Sequence, residues 1–227
     1  MKKATLKNWN EIKTNDSWAL FKIMSEFVNG YEKLSAIEPC ISIFGSARTP
    51  KEHPTYQLTV EIAKAIAHSG YGIISGGGPG IMEAANKGAK EANGVSVGLN
   101  ISLPREQYDN PYIDQDKLID FQYFFVRKVM FVKYAQGFVV MPGGLGTLDE
   151  LFEALTLIQT EKVTKFPVIL VGRSYWKGLV GWIKDTLLKE KNISSDDIEL
   201  FDVVDTVEEV MECLERFYTK DNFKPNF

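Results

Sequence analysis

A glycine-rich segment with the sequence Pro-Gly-Gly-Leu-Gly-Thr-Leu-Asp-Glu, residues 142–150, holds the residue types in this chain that are best suited to chemistry. It follows the apolar run 137–141 and precedes a helical pattern, so it predicts a turn between a buried strand and a helix. The first N–H groups of a helix are unpaired, the helix dipole is positive there, and glycines let the main chain approach an anion closely. We therefore predict a phosphate site at this turn, with the carboxylates of Asp149 and Glu150 beside it as candidates for chemistry.

A second glycine-rich run, Ser-Gly-Gly-Gly-Pro-Gly at residues 75–80, also follows a predicted strand. It is either a tight strand-to-helix turn that needs positive φ angles or a second place where the backbone approaches a phosphate or a ribose. Two such turns facing one crevice would imply one ligand. Neither G-x-G-x-x-G nor G-x-x-x-x-G-K-[ST] is present, which favours a mononucleotide over a dinucleotide site or P-loop hydrolysis.

Arg127 lies in the apolar stretch 124–131, which predicts a largely buried helix. Burying an unpaired guanidinium is costly, so Arg127 needs an anion. That anion is either a structural carboxylate, or a phosphate or catalytic carboxylate in the crevice. The neighbouring Lys128 faces about 100° away on an ideal helix and need not share this role.

Three glutamates each allow a structural and a functional interpretation. Glu150 is a catalytic candidate, but it also fits a capping box with Thr147. Glu153 lies three residues further along the same helix face, where it either joins Glu150 or faces solvent. Glu83 either complements the positive end of its helix or belongs to the site. The residues alone leave these alternatives open.

The elements that must position these residues alternate along the chain and predict an α/β fold. We expect a Rossmann-like, doubly wound parallel sheet flanked by helices, with ligands outside the carboxyl ends of its strands. An amphipathic helix at about 16–36 precedes the first strand, so we divide the chain into an N-terminal helical extension, residues 1–37, and a nucleotide-binding catalytic domain, residues 38–227. The predicted strands are 41–44, 71–74, 95–99, 138–141, 168–171 and 201–204, and the helices that follow are 54–69, 80–92, 123–136, 147–161, 174–190 and 206–217.

Composition excludes several classes of protein. The 227 residues carry a net charge of −4 with no basic stripe, which argues against nucleic-acid binding. Cys40 and Cys213 are far apart and in no metal-ligand spacing, so a disulfide scaffold or a metal site is not expected. The N-terminus lacks the apolar core of a signal peptide and no run approaches membrane-spanning length, so we expect a cytoplasmic protein without membrane association.

Four segments in order closely resemble the LONELY GUY (LOG) family: residues 76–89, 103–107, 123–128 and 142–150. The resemblance covers about residues 38–217. It implies a nucleoside 5′-monophosphate phosphoribohydrolase, which cuts the N-glycosidic bond of AMP or of N6-substituted cytokinin ribotides to give free base and ribose 5-phosphate. Members are often labelled lysine decarboxylases. A pyridoxal-phosphate decarboxylase needs a Schiff-base lysine, however, and no lysine here has such a setting.

By this resemblance, the family's paired catalytic arginine and glutamate fall on Arg127 and Glu150, and Glu106, Lys128 and the 143–149 turn contact substrate. Residue Glu83 stands where plant members have glycine, and the N-terminal extension is longer; both features match a bacterial subgroup and leave the N6 substituent open. The candidate substrate- and phosphate-binding residues are Gly45, Ser46, Gly76, Gly77, Gly78, Glu83, Glu106, Lys128, Met141, Gly143, Gly144, Gly146, Thr147, Asp149 and Glu153.

Cleavage of a ribosyl–purine bond passes through an oxocarbenium-like transition state. We expect Glu150 to stabilise the cation at C1′ and to orient or deprotonate water, and Arg127 to neutralise the base or bind the phosphate. No metal or cofactor is expected. The alternative is a non-catalytic nucleotide or phosphorylated-cofactor carrier on the same fold, such as the molybdenum-cofactor carriers. Apolar surface on the N-terminal helix and on the 123–134 helix, together with the resemblance, predicts a homodimer.

Overall fold

The computed structural model describes residues 16–102 and 110–218 of the chain. Its strands and helices alternate as the sequence predicts. The strands are β1 (Cys40–Phe44), β2 (Gly72–Ser75), β3 (Ser96–Ile101), β4 (Leu118–Phe121), β5 (Ala135–Val140), β6 (Val168–Val171) and β7 (Asp202–Val204). The helices are α1 (Asp16–Leu34), α2 (Pro54–His68), α3 (Ile81–Glu91), α4 (Phe124–Tyr134), α5 (Leu145–Gln159), α6 (Arg173–Trp182, continued by the wider helical turn Ile183–Leu188) and α7 (Val207–Tyr218).

All seven strands of this sheet run parallel, in the order β4-β3-β2-β1-β5-β6-β7. The chain winds outward from β1 to β4 and then returns to the other side of β1 to form β5. A crevice therefore opens between the carboxyl ends of β1 and β5, where the winding reverses. The prediction of a doubly wound parallel sheet is confirmed.

Apart from shifts of one or two residues at several element ends, the structure departs from the prediction at β4 and at the start of β5. Strand β4 was missed because its sequence, Leu-Ile-Asp-Phe, is short and contains a charge; as an edge strand it buries Ile119 and Phe121 and exposes Asp120. Strand β5 begins at Ala135, whereas the sequence pattern extended the preceding helix to residue 136. Pairing of Ala135 with Cys40 of β1 overrides the helical preference of alanine there.

Apolar layers cover both faces of the sheet. On one face, α4 and α5 pack over an aromatic cluster in which the ring of Phe44 lies 4.8 Å from Phe131 and 4.9 Å from Phe138. On the other face, α2 and α3 approach so closely that a Cβ on Gly88 would lie 2.3 Å from the carbonyl oxygen of Val60. Dense packing on both faces fixes the strand ends that build the crevice.

Helix α1 is anchored to the connection between β4 and α4. The Glu26 carboxylate accepts hydrogen bonds from the amides of Gln122 (2.9 Å) and Tyr123 (3.3 Å), and Lys33 Nζ donates to the carbonyl of Leu118 (3.1 Å). The separate domain assigned to residues 1–37 stays a prediction. Within the described part of the chain, every helix is too short or too polar to cross a lipid bilayer.

Candidate active site

A cavity of about 600 Å³ lies at the carboxyl ends of β1 and β5. It is lined by residues 44–48 after β1, by Gly76 and Met82 around the start of α3, by two side chains of α4, and by the first two turns of α5. This is the crevice that the strand order predicts for a ligand.

Glu150 of α5 lies in this cavity and is only 4% exposed. Its Oε1 atom has no hydrogen-bond partner within the described chain. Burial raises the pKa of the Glu150 carboxyl to about 8; the charge of Arg127 acts in the opposite direction, and the charge of Glu153 adds to the increase. A carboxyl with this pKa gains and loses a proton close to neutral pH.

The capping-box interpretation of Glu150 is wrong. Helix α5 begins at Leu145 after Gly144 and has no side-chain cap, and the amide of Thr147 already donates to the carbonyl of Gly144 (3.0 Å). Glu150 is thus in the second turn of the helix, too far along it to close a capping box with Thr147. A capping role therefore does not explain why Glu150 is buried.

Arg127 of α4 reaches the same cavity, and no carboxylate of residues 16–102 and 110–218 forms the structural salt bridge that the sequence left open. Its guanidinium lies 5.5 Å from the ring of Phe124 and 5.4 Å from that of Phe131, and Nη1 donates a long hydrogen bond (3.4 Å) to the carbonyl of Leu99. Nε is buried without a partner, and Arg127 makes no ion pair with any carboxylate of the described residues. Burial lowers the pKa of Arg127, opposed by the negative charge of Glu150. The described part of the chain therefore supplies no anion that pairs with Arg127.

The start of α5 presents donors to the cavity. The amides of Gly144, Leu145 and Gly146 have no acceptor among residues 16–102 and 110–218. A Cβ added at Gly144 or Gly146 would meet nothing within 4 Å. Open space and free N–H groups at a helix N-terminus are what an anion requires.

The turn after β1 lines the cavity and is hydrogen-bonded to the residues that flank both glycine-rich turns. Ser46 donates its amide to the carbonyl of Pro142 (3.0 Å) and accepts at its own carbonyl from the amide of Ile81 (3.0 Å). Arg48 of this turn also lines the cavity and was absent from the predicted site, as was Met82. Arg48 could have been found from its place four residues beyond β1, where the strand order reverses.

The turn at residues 75–80 is closed mainly by packing. Gly77 and Gly80 have φ angles of +73° and +67°. A Cβ on Gly77 would meet the side chain of Asn100, and one on Gly78 would meet Met82. Only Gly76 of this turn lines the cavity. The requirements of a tight turn therefore account for most of these glycines. A ligand that contacts both glycine-rich turns would meet the 75–80 turn at Gly76.

Lys128, Asp149 and Glu153 come together beside the cavity rather than in its lining. Lys128 Nζ lies 3.0 Å from Asp149 Oδ2 and 2.6 Å from Glu153 Oε2. The three side chains line a neighbouring depression of about 680 Å³. Glu153 thus pairs with Lys128, and the binding roles of all three residues stay predictions.

The remaining candidates lie elsewhere. Glu83 is buried, but its carboxylate accepts from the Tyr56 hydroxyl (2.8 Å) and pairs with Lys51 (2.6 Å), away from the cavity. Met141 belongs to the apolar core on the α2–α3 face of the sheet. Glu106 lies outside the described residues. The binding roles of these three residues stay predictions.

Comparisons with known proteins give a consistent family. The family model described as "Possible lysine decarboxylase" matches residues 82–214. A cytokinin riboside 5′-monophosphate phosphoribohydrolase of Mycobacterium tuberculosis is 32% identical over 169 residues, which are 73% of this chain and 88% of that protein. The rice (Oryza sativa) cytokinin riboside 5′-monophosphate phosphoribohydrolase LOG is 27% identical over 178 residues, covering 76% of this chain and 71% of that one.

Among solved structures, the molybdenum cofactor carrier protein of Chlamydomonas reinhardtii is similar in fold, with a TM-score of 0.60. It is 23% identical, and the similarity covers 81% of this chain and 99% of the carrier. At that identity the likeness shows a shared fold and leaves the ligand of this chain open.

Proposed function

Because this chain belongs to the LONELY GUY (LOG) family, we propose that it is a phosphoribohydrolase acting on a purine nucleoside 5′-monophosphate. The substrate is AMP or an N6-substituted cytokinin ribotide, and the products are the free base and ribose 5-phosphate. One observation carries this proposal: Glu150, a buried glutamate whose Oε1 has no hydrogen-bond partner in the described chain, shares a cavity with Arg127, which pairs with no carboxylate of the described residues. The names of the relatives support it.

In this proposal the 5′-phosphate binds at the start of α5. The free amides of residues 144–146 donate to the phosphate oxygens, and Arg48 contributes positive charge at the cavity wall. Binding energy from this remote group places C1′ of the ribose against the reacting side chains. The phosphate is therefore needed for turnover as well as for affinity.

Glu150 acts as the general base at C1′. The water oxygen bonds to C1′, a water proton passes to the Glu150 carboxylate, and the glycosidic C–N bond breaks with its electron pair going to the base. The base then takes a proton from solvent and leaves as the free base, and Glu150 returns its proton to solvent. The ionised Glu150 also stabilises the positive charge that develops at C1′, and Arg127 offsets the negative charge on the departing base. Because burial raises the pKa of Glu150 to about 8, kcat/KM should rise with pH and level off above that value.

The direct test is to incubate the protein with AMP and measure adenine and ribose 5-phosphate. A panel of cytokinin ribotides, other nucleoside monophosphates and the matching nucleosides then defines the base and the need for phosphate. Glu150→Gln should lower kcat about 10³-fold, in the range for loss of a general base. The charge-matched control Glu91→Gln, at the end of α3, should stay active. A fully active Glu150→Gln protein would refute the assignment.

A non-catalytic carrier on the same fold is the second candidate, because the structural neighbour from Chlamydomonas is a molybdenum cofactor carrier. A carrier would bind a phosphorylated ligand and leave AMP intact after long incubation at high protein concentration. The state of Glu150 favours the hydrolase, because a desolvated carboxyl beside a bound anion costs free energy and brings a carrier no benefit.

We also propose that the protein is a homodimer. Trp18 and Phe21 of α1, and Phe124 and Phe125 of α4, are exposed apolar side chains. Phe124 also packs over the Arg127 guanidinium, so covering this surface would shield the cavity from water. Sedimentation velocity should give a dimer; an active monomer would contradict this.

A further inference from the structure

A hydrogen bond from outside the cavity holds the glycine-rich turn that leads into α5. The hydroxyl of Tyr175 donates to the carbonyl oxygen of Gly143 at 2.5 Å. Tyr175 is not in the cavity lining, and neither the sequence nor the proposed mechanism gives it a role. We propose that Tyr175 is a positioning residue that fixes the orientation of the peptide between Gly143 and Gly144, and so determines the affinity of the site for phosphate.

The geometry of the peptide unit links this bond to the cavity. In a planar trans peptide the C=O and the following N–H point in opposite directions. Holding the Gly143 carbonyl on Tyr175 therefore directs the Gly144 N–H away from Tyr175. That N–H has no acceptor in the described chain, and Gly144 lines the cavity. The hydrogen bond thus presents a donor to the ligand.

The orientation of this peptide needs a fixed partner because its two residues are glycines. Without side chains, both sides of the peptide have wide conformational freedom, and rotation of the unit is sterically inexpensive. A rotated peptide would place the Gly143 carbonyl oxygen where the Gly144 N–H belongs. An oxygen facing a phosphate repels it, so the orientation of one peptide decides between attraction and repulsion.

Tyr175 is itself rigidly supported. It lies in the first turn of α6, where Gly172 donates its amide to the carbonyl of Val204 (2.7 Å) and Asp205 accepts from the amide of Arg173 (2.7 Å). The Arg173 guanidinium also pairs with Asp205 (3.0 Å) and with Glu209 (2.7 Å). These bonds fix α6 to the carboxyl end of β7, so the hydroxyl is held in place by the scaffold and not by the ligand.

Tyr175→Phe removes only the hydroxyl, and it leaves the edge-on packing of the ring against Trp176 (4.9 Å between centroids) in place. We expect its affinity for ribose 5-phosphate, measured by titration calorimetry, to fall about tenfold, which corresponds to roughly 1.4 kcal/mol. The KM for AMP should rise by a similar factor, while weak binding of adenosine, which lacks the phosphate, should not change. A general distortion of the fold would weaken both ligands alike.

Tyr218→Phe is the matched control, because the Tyr218 hydroxyl also donates to a backbone carbonyl, that of Gln136 at the start of β5. This second variant should bind ribose 5-phosphate as the wild type does. Wild-type affinity in Tyr175→Phe, or an equal loss for ribose 5-phosphate and adenosine, would overturn the inference.

The inference rests on the proposed phosphate site, but the ligand-binding measurement separates its failure from failure of the proposed reaction. A wild-type protein that binds ribose 5-phosphate and leaves AMP intact refutes the hydrolase, and the comparison of Tyr175→Phe with Tyr218→Phe still decides the role of Tyr175. A wild-type protein that binds no ribose 5-phosphate overturns both the phosphate site and the role of Tyr175.

Discussion

Two glycine-rich turns flank β1, and each leads into a helix that carries a buried glutamate. After β2, Glu83 of α3 is 2% exposed and is bound by the Tyr56 hydroxyl and by Lys51. After β5, Glu150 of α5 is 4% exposed, and its Oε1 has no partner within the described chain. Similar sequence patterns thus produce one carboxylate that is bound by protein side chains and one whose Oε1 has no partner in the described chain.

The glycines of the two turns differ in the same way. In the 75–80 turn the space beside Gly77, Gly78 and Gly80 is already filled by other atoms. In the turn before α5 the space beside Gly144 and Gly146 is empty, although a Cβ on Gly143 would collide with the Thr147 side chain. The first set of glycines is required by packing, and the second has no such requirement, which is consistent with room kept for a ligand.

The largest loss of stability should come from Gly80→Ala. The φ angle of Gly80 is +67°, and a Cβ would lie 2.4 Å from the carbonyl oxygen of Ser46. Strain and clash together should lower the free energy of unfolding by about 3 kcal/mol or more. Chemical denaturation measures this loss. A change below about 1 kcal/mol would show that the 75–80 turn is less constrained by packing than its contacts indicate.

Neutralising the two glutamates should change stability in opposite directions. Burial raises the pKa of Glu150 to about 8, so the folded protein holds the Glu150 proton more tightly than the unfolded chain. The free energy of unfolding should then fall as pH rises from the ordinary carboxyl pKa through about 8. Glu150→Gln cannot ionise, so its stability advantage over the wild type should grow across this pH interval by about 1.4 kcal/mol per pH unit.

Glu83→Gln is the matched comparison, because it loses the charge that pairs with Lys51. It should be less stable than the wild type by about 1 kcal/mol at neutral pH. Urea denaturation at pH 6 and pH 9 distinguishes the two variants. Equal pH dependence of Glu150→Gln and the wild type would mean that Glu150 is already ionised, or is solvated, at neutral pH.

Gly144→Ala tests whether the empty space in the turn before α5 is needed for a ligand. The backbone angles of Gly144 (φ −92°, ψ −157°) are extended and open to alanine, so the free energy of unfolding should change by less than about 1 kcal/mol. The added methyl group would project into open space at the cavity. The affinity for ribose 5-phosphate should fall about tenfold, or 1.4 kcal/mol. Unchanged affinity by calorimetry would place the phosphate elsewhere.

The sequence predicted those features that depend on neighbouring residues, and it did not predict those that depend on contacts between distant parts of the chain. Apolar runs bounded by glycines predicted six of the strands, and the position of Arg127 in an apolar helix predicted that it needs an anion, either a structural carboxylate or a group in the crevice. The roles of Glu83 and Glu150 could not be separated, because Tyr56 and Lys51 are distant in sequence from Glu83. Glu106 lies outside the described residues, so its predicted contact stays a prediction.

The smallest effect should come from Gly146→Ala, which separates helix stability from ligand space in one residue. Gly146 is in the first turn of α5 with nothing within 4 Å of an added Cβ, so alanine should stabilise the helix by about 0.5 kcal/mol. Gly178, inside α6, has the same open surroundings but does not line the cavity, and Gly178→Ala should stabilise by about 1 kcal/mol. Thermal unfolding and ribose 5-phosphate titration measure both properties. If the space beside α5 is reserved for a phosphate, Gly146→Ala should lose affinity for ribose 5-phosphate and Gly178→Ala should keep it. If both variants gain stability and bind ribose 5-phosphate equally well, the empty space beside Gly146 is not a ligand site, and the contrast between the two glycine-rich turns fails.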